Sequence, residues 1–179
     1  QAQSKIIATT TSVDTVIVTA TPDKVTDLDK DENGTNETSM TINDLQLVEE
    51  TDVVMVQGAE NLVLSNFTVT EAAAVGGAAE YVLSAASMTG DLTVSKVVVA
   101  GAGAGNVGKV TIVGGAGNDK ITTTAVSKFD VQSGAGKDTI NITAAAADTV
   151  VKAGAGDDKV TASAAGATID LGAGDDTIT

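Results

Sequence analysis

The last third of the chain repeats one nine-residue phrase four times, and this repeat restricts the possible fold more than any other feature. The copies occupy residues 114–122, 133–141, 153–161 and 171–179. An aspartate shared by all four recurs at positions 119, 138, 158 and 176, in steps of 19, 20 and 18 residues. Self-similarity at a period of this size is typical of solenoids, in which each repeat forms one coil that stacks on its neighbours.

Each period has room for two short strands and two turns. Two apolar positions recur in phase with the aspartate, one in the strand before each glycine loop and one two residues after each aspartate. They are Ile112, Val131, Val151 and Ile169, and Ile121, Ile140, Val160 and Ile178. Stacking the periods would line these side chains up as an interior ladder and pair the strands in parallel. We therefore predict an all-β fold, a right-handed parallel β-solenoid.

The composition agrees with a narrow core and excludes several classes of function. Only Phe67, Tyr81 and Phe129 are aromatic, so short and β-branched side chains must fill the interior. The absence of Cys and His excludes disulfides, thiolate zinc sites, cysteine nucleophiles and an imidazole base. A formal charge of −14 disfavours nucleic acid and anionic membranes as partners. We expect no nucleic-acid binding, no membrane insertion and no enzymatic activity.

The repeat weakens upstream without disappearing. Apolar or alternating runs at 53–56, 62–64, 67–69, 92–94 and 97–99 predict further strands, and Gly101–Asn106 resembles a glycine loop that lacks its aspartate. We divide the chain into an N-terminal β segment with an acidic loop (1–50), a degenerate β-solenoid (51–113) and a β-roll of the regular repeats (114–179).

The glycine loops carry the chemistry of a calcium site. Glycines let the backbone turn with positive φ, and a following aspartate adds a carboxylate. Calcium takes six to eight hard oxygen ligands, so two stacked turns can supply what one turn cannot. The candidate ligand-bearing residues are Gly115, Gly117, Asn118, Asp119, Gly134, Gly136, Asp138, Gly154, Gly156, Asp157, Asp158, Gly172, Gly174, Asp175 and Asp176. Four stacked loops leave three gaps, hence about three ions. Metal-free turns that merely use Gly and Asp are the alternative.

The phrase resembles the nonapeptide Gly-Gly-x-Gly-x-Asp-x-apolar-x of repeats-in-toxin proteins, over roughly the last third of the chain. The resemblance implies a parallel β-roll with Ca²⁺ between turns, export by a one-step secretion system and folding triggered by external calcium. Within that family the composition looks most like bacterial surface-layer proteins. The chain departs from the pattern at the first glycine position, which is Ser133, Ala153 or Leu171 in three copies, and at Lys137. Lys137 should weaken a neighbouring site unless its amine points outward. The turns on the alternate side lack these ligands, so calcium should bind on one side only.

A second, weaker calcium candidate lies in the acidic segment near the start of the chain. Asp29, Asp31, Asn33 and Glu37 fall at ligand positions of an EF-hand-like loop. Position 12 of that loop is Met40, where a bidentate Glu is expected, so a solvated acidic turn is an open alternative.

These features predict a structural protein of the extracellular cell surface. We expect part of a surface-layer subunit that folds and assembles with itself on binding Ca²⁺, with cell-surface polysaccharide as a second possible partner. The alternatives are a calcium-dependent secreted adhesin or filament subunit, and the calcium-roll tail of a secreted hydrolase. Because Thr179 lies inside a repeat, we also expect that either further chain or a neighbouring subunit covers the last coil.

Overall fold

A computed structural model describes residues 5–8, 15–20, 39–47, 53–59, 61–70, 80–100, 108–124, 127–143, 148–163 and 166–179. This part of the chain is all β-strand and turn. The strands are β1 (Lys5–Ala8), β2 (Thr15–Ala20), β3 (Ser39–Ile42), β4 (Asp44–Leu47), β5 (Val53–Gly58), β6 (Asn61–Leu64), β7 (Phe67–Thr70), β8 (Glu80–Met88), β9 (Leu92–Ala100), β10 (Lys109–Val113), β11 (Lys120–Thr123), β12 (Lys128–Ala135), β13 (Thr139–Ile142), β14 (Val150–Ala155), β15 (Lys159–Ala162), β16 (Thr168–Ala173) and β17 (Thr177–Ile178).

The strands form two sheets in which all described neighbours run parallel. Sheet A has ten strands, with the main order β1-β4-β7-β9-β11-β13-β15-β17 and a branch β3-β6-β9. Sheet B has seven strands in the order β2-β5-β8-β10-β12-β14-β16. Successive strands along the chain alternate between the sheets from β8 onward, so each coil adds one strand to each sheet. The predicted parallel β-solenoid is thereby confirmed.

The two apolar ladders are also confirmed, position by position. In sheet B, Ile112 pairs with Val131, Val131 with Val151 and Val151 with Ile169. In sheet A, Ile121 pairs with Ile140, then Val160 and Ile178 follow in the same register. Most of these side chains are completely buried between the sheets, whereas Ile178 is 52% exposed. Larger side chains, including Phe67, Tyr81 and Leu83, fill the core of the upstream coils.

The upstream coils are longer than the sequence pattern predicts. Glu80 pairs with Lys109, a step of 29 residues, whereas Lys109 pairs with Lys128 at a step of 19. The predicted strands at 92–94 and 97–99 are parts of the single strand β9, because only a local irregularity, with Ser95 and Lys96 both exposed, separates them. The first half of β9 pairs with β6 and the second half with β7.

The two sheets run through the boundary proposed at 113/114 without a break, since β10 pairs with both β8 and β12. The division into three segments stays a prediction. The loop proposed at 101–106 lies outside the described residues.

Candidate metal centre

The recurring aspartates form a buried column along one side of the solenoid. Each carboxylate turns back toward the preceding coil, where its Oδ1 accepts a hydrogen bond from a backbone N–H. The donors and acceptors are Leu92 N to Asp119 Oδ1 (2.7 Å), Asp119 N to Asp138 Oδ1 (2.7 Å), Asp138 N to Asp158 Oδ1 (2.8 Å) and Asp158 N to Asp176 Oδ1 (2.9 Å). Each bond joins two consecutive coils, so the column ties the turns together in sequence. We call Asp119, Asp138, Asp158 and Asp176 the inner column.

Burial of the inner column leaves two carboxylate oxygens without a partner. Asp119, Asp138 and Asp158 are 1%, 0% and 2% exposed. The Oδ2 atoms of Asp138 and Asp158 are buried and accept no hydrogen bond. A buried carboxylate oxygen with no donor is costly, because an ionised group loses its hydration on burial. These two atoms are therefore the points in the column where a cation would contribute most.

The first glycine position of the loop explains why Oδ2 of Asp119 has a hydrogen-bond donor, whereas Oδ2 of Asp138 and of Asp158 has none. Oδ2 of Asp119 accepts a hydrogen bond from Gly115 N at 2.8 Å. A Cβ on Gly114 would overlap that oxygen, so the contact depends on glycine at this position. Ser133 and Ala153 occupy the same position in the next two coils and carry a Cβ there. In these two coils a side chain therefore occupies the space that Oδ2 of Asp119 takes beside Gly114, and Oδ2 of Asp138 and of Asp158 has no hydrogen-bond donor.

Desolvation shifts the titration of the inner column. Burial raises the pKa of Asp119 from 3.8 to about 6, although the hydrogen bonds from Leu92 and Gly115 act in the opposite direction. The charges of Asp138 and Asp91 raise that pKa further. Burial likewise raises the pKa of Asp138, although the N–H of Asp119 and the nearby hydroxyl of Ser133, which donates to Ala153 O, act in the opposite direction, and the charge of Asp158 adds to the rise. Without a cation, the column holds like charges in a poorly solvated position.

A second column of polar residues runs beside the first, one residue earlier in each turn. Its side-chain oxygens accept from the following coil, opposite to the inner column. The bonds are Asp91 N to Asn61 Oδ1 (2.7 Å), Asn118 N to Asp91 Oδ1 (2.7 Å), Lys137 N to Asn118 Oδ1 (2.7 Å) and Asp175 N to Asp157 Oδ1 (3.1 Å). We call Asn61, Asp91, Asn118, Lys137, Asp157 and Asp175 the outer column. Lys137 interrupts it, since an amine cannot accept a hydrogen bond.

The amine of Lys137 is directed outward. Its side chain is 72% exposed, and Nζ lies 4.0 Å from Oδ2 of Asp157 in the next coil. The condition under which Lys137 should weaken a neighbouring site, an amine pointing inward, is therefore not met.

The glycines of the loops let backbone carbonyls approach the next turn. Gly136 and Gly156 have φ of +117° and +137°, a region that L side chains rarely adopt. A Cβ on Gly156 would collide with the carbonyl oxygen of Gly136, and one on Gly136 with that of Gly117. The carbonyl oxygens of Gly117 and Gly136 consequently face the following turn of the stack.

The structure brings the candidate residues of the four loops into one stack of turns. Asp119, Asp138 and Asp158 are buried inside it and Asp176 is half-buried, while Asn118, Asp157 and Asp175 are exposed along its outer side. The weaker candidates Asp29, Asp31, Asn33 and Glu37 lie outside the described residues.

Sequence reasoning missed a further turn of the stack, at residues 89–91, directly before the first of the four loops. Its Gly90 and Asp91 lie against Gly117 and Asn118, and Ala116 N donates to Met88 O at 3.0 Å. The signal was a single Gly-Asp pair, one residue out of phase with the later aspartates.

The oxygen atoms of the stacked turns are compatible with a calcium site if backbone carbonyls serve as ligands beside the carboxylates. In the described part of the chain, no group of three or more His, Cys, Asp or Glu side chains is arranged to hold a metal ion. An ion between two turns would therefore need backbone carbonyls in addition to carboxylates, and calcium accepts both. In the middle gap, Asp138, Asp158 and the carbonyl of Gly136 are the residues that would hold it.

Comparisons with protein families, curated proteins and solved structures gave no match to this chain. Within the described ranges, no helix has the length and apolar character needed to span a membrane.

Proposed function

We propose that this chain is a structural, calcium-binding protein of the extracellular cell surface, part of a surface-layer subunit that folds and assembles with Ca²⁺. The observation that carries the proposal is the pair of buried, unpartnered Oδ2 atoms on Asp138 and Asp158. Turn preference alone accounts for glycine and aspartate in the loops. It does not account for carboxylates that are buried at the same position of consecutive coils, two of them with an oxygen that accepts no hydrogen bond.

The mechanism is linkage between ion binding and folding. The inner column exists only when the coils are stacked, so calcium would bind the folded chain far better than the unfolded one. One site at a free calcium concentration of 100 times its Kd adds about 2.7 kcal/mol to the free energy of unfolding. At low calcium, repulsion along the column would favour the unfolded chain.

A calcium titration tests the proposal. Isothermal calorimetry and circular dichroism are run on the whole chain, starting in excess chelator, with Mg²⁺ in a parallel titration because its stricter octahedral geometry suits this donor set poorly. We expect binding of several Ca²⁺ ions together with a gain of β-structure. Full β-structure in chelator, with no heat of binding at millimolar calcium, would contradict the proposal.

The assembly part of the proposal is tested separately, by sedimentation velocity and electron microscopy of the calcium-bound chain. A regular lattice supports a surface-layer subunit. Calcium binding without a lattice would favour the adhesin or the tail of a secreted hydrolase instead.

A further inference from the structure

The first residue of each glycine loop differs from coil to coil and lies beside the shared aspartate of the same loop. In the four copies this position is Gly114, Ser133, Ala153 and Leu171. A Cβ on Gly114 would overlap both Oδ2 of Asp119 and the carbonyl oxygen of Ser133, one coil later. A side chain at this position therefore lies between the carboxylate of its own loop and a carbonyl of the next coil.

Ser133 brings a side-chain oxygen to this position. It is completely buried, and so is Asp138, the aspartate of its loop. Its Oγ donates a hydrogen bond to the carbonyl oxygen of Ala153 in the next coil, at 2.6 Å. Burial raises the pKa of Asp138, and the same hydroxyl is close enough to that carboxyl group to act against the rise. Ser133 Oγ thus lies between two other buried oxygen-bearing groups.

The hydroxyl of Ser133 has one hydrogen for two acceptors. A serine hydroxyl donates one hydrogen bond and keeps two lone pairs. Because the hydrogen is directed to Ala153, lone pairs are what remain for Asp138, whose Oδ2 accepts no hydrogen bond. Two neighbouring oxygen atoms with no hydrogen between them are stabilised by a cation or by a buried water. Calcium binds neutral oxygens together with carboxylates, so this pair suits it.

We infer that the hydroxyl oxygen of Ser133 is a calcium ligand, and that it makes the site beside Asp138 the tightest of the stack. This inference rests on the calcium binding in the proposed function. It adds a ligand from outside the glycine and aspartate positions of the repeat. The bond to Ala153 fixes the direction of the hydroxyl before an ion arrives, which lowers the entropy that binding would cost.

The other two buried aspartates lack this ligand. Beside Asp158 the residue is Ala153, whose methyl group offers no oxygen. At Asp119, Oδ2 already accepts a hydrogen bond from the N–H of Gly115 at 2.8 Å. Calcium affinity should therefore be highest at the second loop, lower at the third and lowest at the first.

The repeats-in-toxin pattern predicts a different order. Its consensus has glycine at this position, so a return to glycine at Ser133 should strengthen calcium binding if the loop acts as the pattern implies. The inference expects the reverse, because Ser133→Gly removes a ligand. This variant separates the two expectations by the sign of its effect.

Calcium binding to the whole chain is measured by calorimetry for single variants that add or remove one hydroxyl group. Ser133→Ala removes the ligand and keeps Cβ. Ala153→Ser adds a hydroxyl beside Asp158, and Leu171 is in register to accept its hydrogen, as Ala153 does from Ser133.

Ser163→Ala is the matched control for loss of a hydroxyl. Its Oγ also donates to a backbone carbonyl of a neighbouring coil, that of Thr143, at 2.7 Å. Ser163 follows β15, whereas the aspartate of the same coil precedes that strand, so the two lie in different turns. Circular dichroism in chelator reports separately what each variant costs the fold itself.

We expect Ser133→Ala to raise the Kd of the tightest site about three- to tenfold, the range for losing one neutral polar contact. Ser133→Gly should also raise it. Ala153→Ser should lower the Kd of the second site by a similar factor, and Ser163→Ala should change neither.

Asp138→Asn distinguishes a ligand from a residue that only supports the fold. Once this change has removed the site, Ser133→Ala should have no further effect on the calcium binding that remains. A residue that only supports the fold would weaken the remaining binding by the same factor in both backgrounds, and that result would contradict the inference.

Unchanged calcium binding in Ser133→Ala would overturn the inference. A lower Kd would do so as well, because the hydroxyl would then donate to Asp138 and compete with the ion. A gain in affinity for Ser133→Gly would overturn it in favour of the repeat pattern. If the unaltered chain binds no calcium, the proposed function fails and the inference fails with it. Calcium binding that does not respond to Ser133 removes the inference alone.

Discussion

The carboxylate of Asp138 accepts a hydrogen bond from the backbone N–H of Asp119, one coil earlier, at 2.7 Å, while its second oxygen is buried with no partner. One oxygen thus stabilises the stack of coils, and the other is available to a cation. The two roles can be separated by changing the carboxylate to an amide, which keeps the first acceptor and removes the charge.

Asp138→Asn should therefore uncouple folding from calcium. In chelator we expect at least as much β-structure as in the unaltered chain, because a buried charge is removed. In calcium the stabilisation should be smaller by about 2 to 3 kcal/mol, the contribution of one saturated site. Circular dichroism in chelator measures the first effect, and urea unfolding at saturating calcium measures the second. Asp130→Asn, on the outer side of sheet B, is the control and should retain the full calcium effect.

The raised pKa of Asp119 predicts an unusual pH dependence for the calcium-free chain. The folded pKa of about 6 exceeds the unfolded value of 3.8, so the folded chain binds the proton more tightly. This carboxyl group therefore favours folding most strongly below about pH 4, and the effect is lost as the pH rises to about 6. The loss amounts to about 3 kcal/mol. Circular dichroism in chelator should therefore show more β-structure near pH 4 than near pH 7, and Asp119→Asn should flatten this pH dependence, whereas Asp170→Asn should not.

Gly156→Ala should destabilise the stack whether or not calcium is present. Its Cβ would collide with the carbonyl oxygen of Gly136, and φ of +137° is strained for any L side chain. We expect a loss of about 2 to 4 kcal/mol in thermal or urea unfolding. Ala155→Gly, at the neighbouring exposed position, should cost less than about 1 kcal/mol. Equal effects of the two changes would contradict the close stacking of the turns.

Lys137→Asn should complete the outer column. An asparagine at this position can accept a hydrogen bond from the backbone N–H of Asp157, as Asn118 does from Lys137 at 2.7 Å. We expect a gain of about 0.5 to 1.5 kcal/mol in the free energy of unfolding. Lys152→Asn makes the same change in charge on the outer side of sheet B and should give no such gain. A destabilised Lys137→Asn chain would show that the ion pair with Asp157 matters more.

The interior ladder gives a matched pair of isoleucines in different surroundings. Ile112 is fully buried, while Ile178, in the other ladder, is 52% exposed. Ile112→Ala should cost about 2 to 5 kcal/mol and Ile178→Ala less than half as much, because truncating a buried side chain leaves a cavity. Similar losses at both positions would mean that another copy or a further coil buries Ile178 in solution.

The period of the repeat was enough to predict the register of the last four coils. A step of 18 to 20 residues keeps Ile121, Ile140 and Val160 in line because each coil has two strands of similar length and two turns. Upstream, the same reasoning failed at β9. Its nine residues contain no glycine or proline to end the strand at Ser95–Lys96, so the strand continues and pairs with both β6 and β7.

The candidate site was predictable in its residues but not in its geometry. Position in the repeat identified the aspartates, yet whether a carboxylate turns toward the preceding or the following coil depends on the stagger of neighbouring turns. The stagger also decides how close the Cβ of Ser133 comes to the carboxylate of Asp138, so that contact could not be predicted from the sequence. The turn at Gly90–Asp91 was missed because its aspartate aligns with Asn118 rather than Asp119.

The opposite directions of the two columns have a mechanical consequence. Where Asp91 accepts from the coil of Asn118, and Asp119 accepts from the coil of Leu92, each coil both holds and is held by its neighbour. A pulling force along the stacking direction must break both of these bonds, together with the backbone hydrogen bonds of the two sheets, before a coil detaches. The chain would then lengthen in discrete steps, each releasing about 20 residues or roughly 60 to 70 Å of extended backbone. Such a protein would stay folded up to a threshold force and would then unfold one coil at a time, a property suited to a tether exposed to shear.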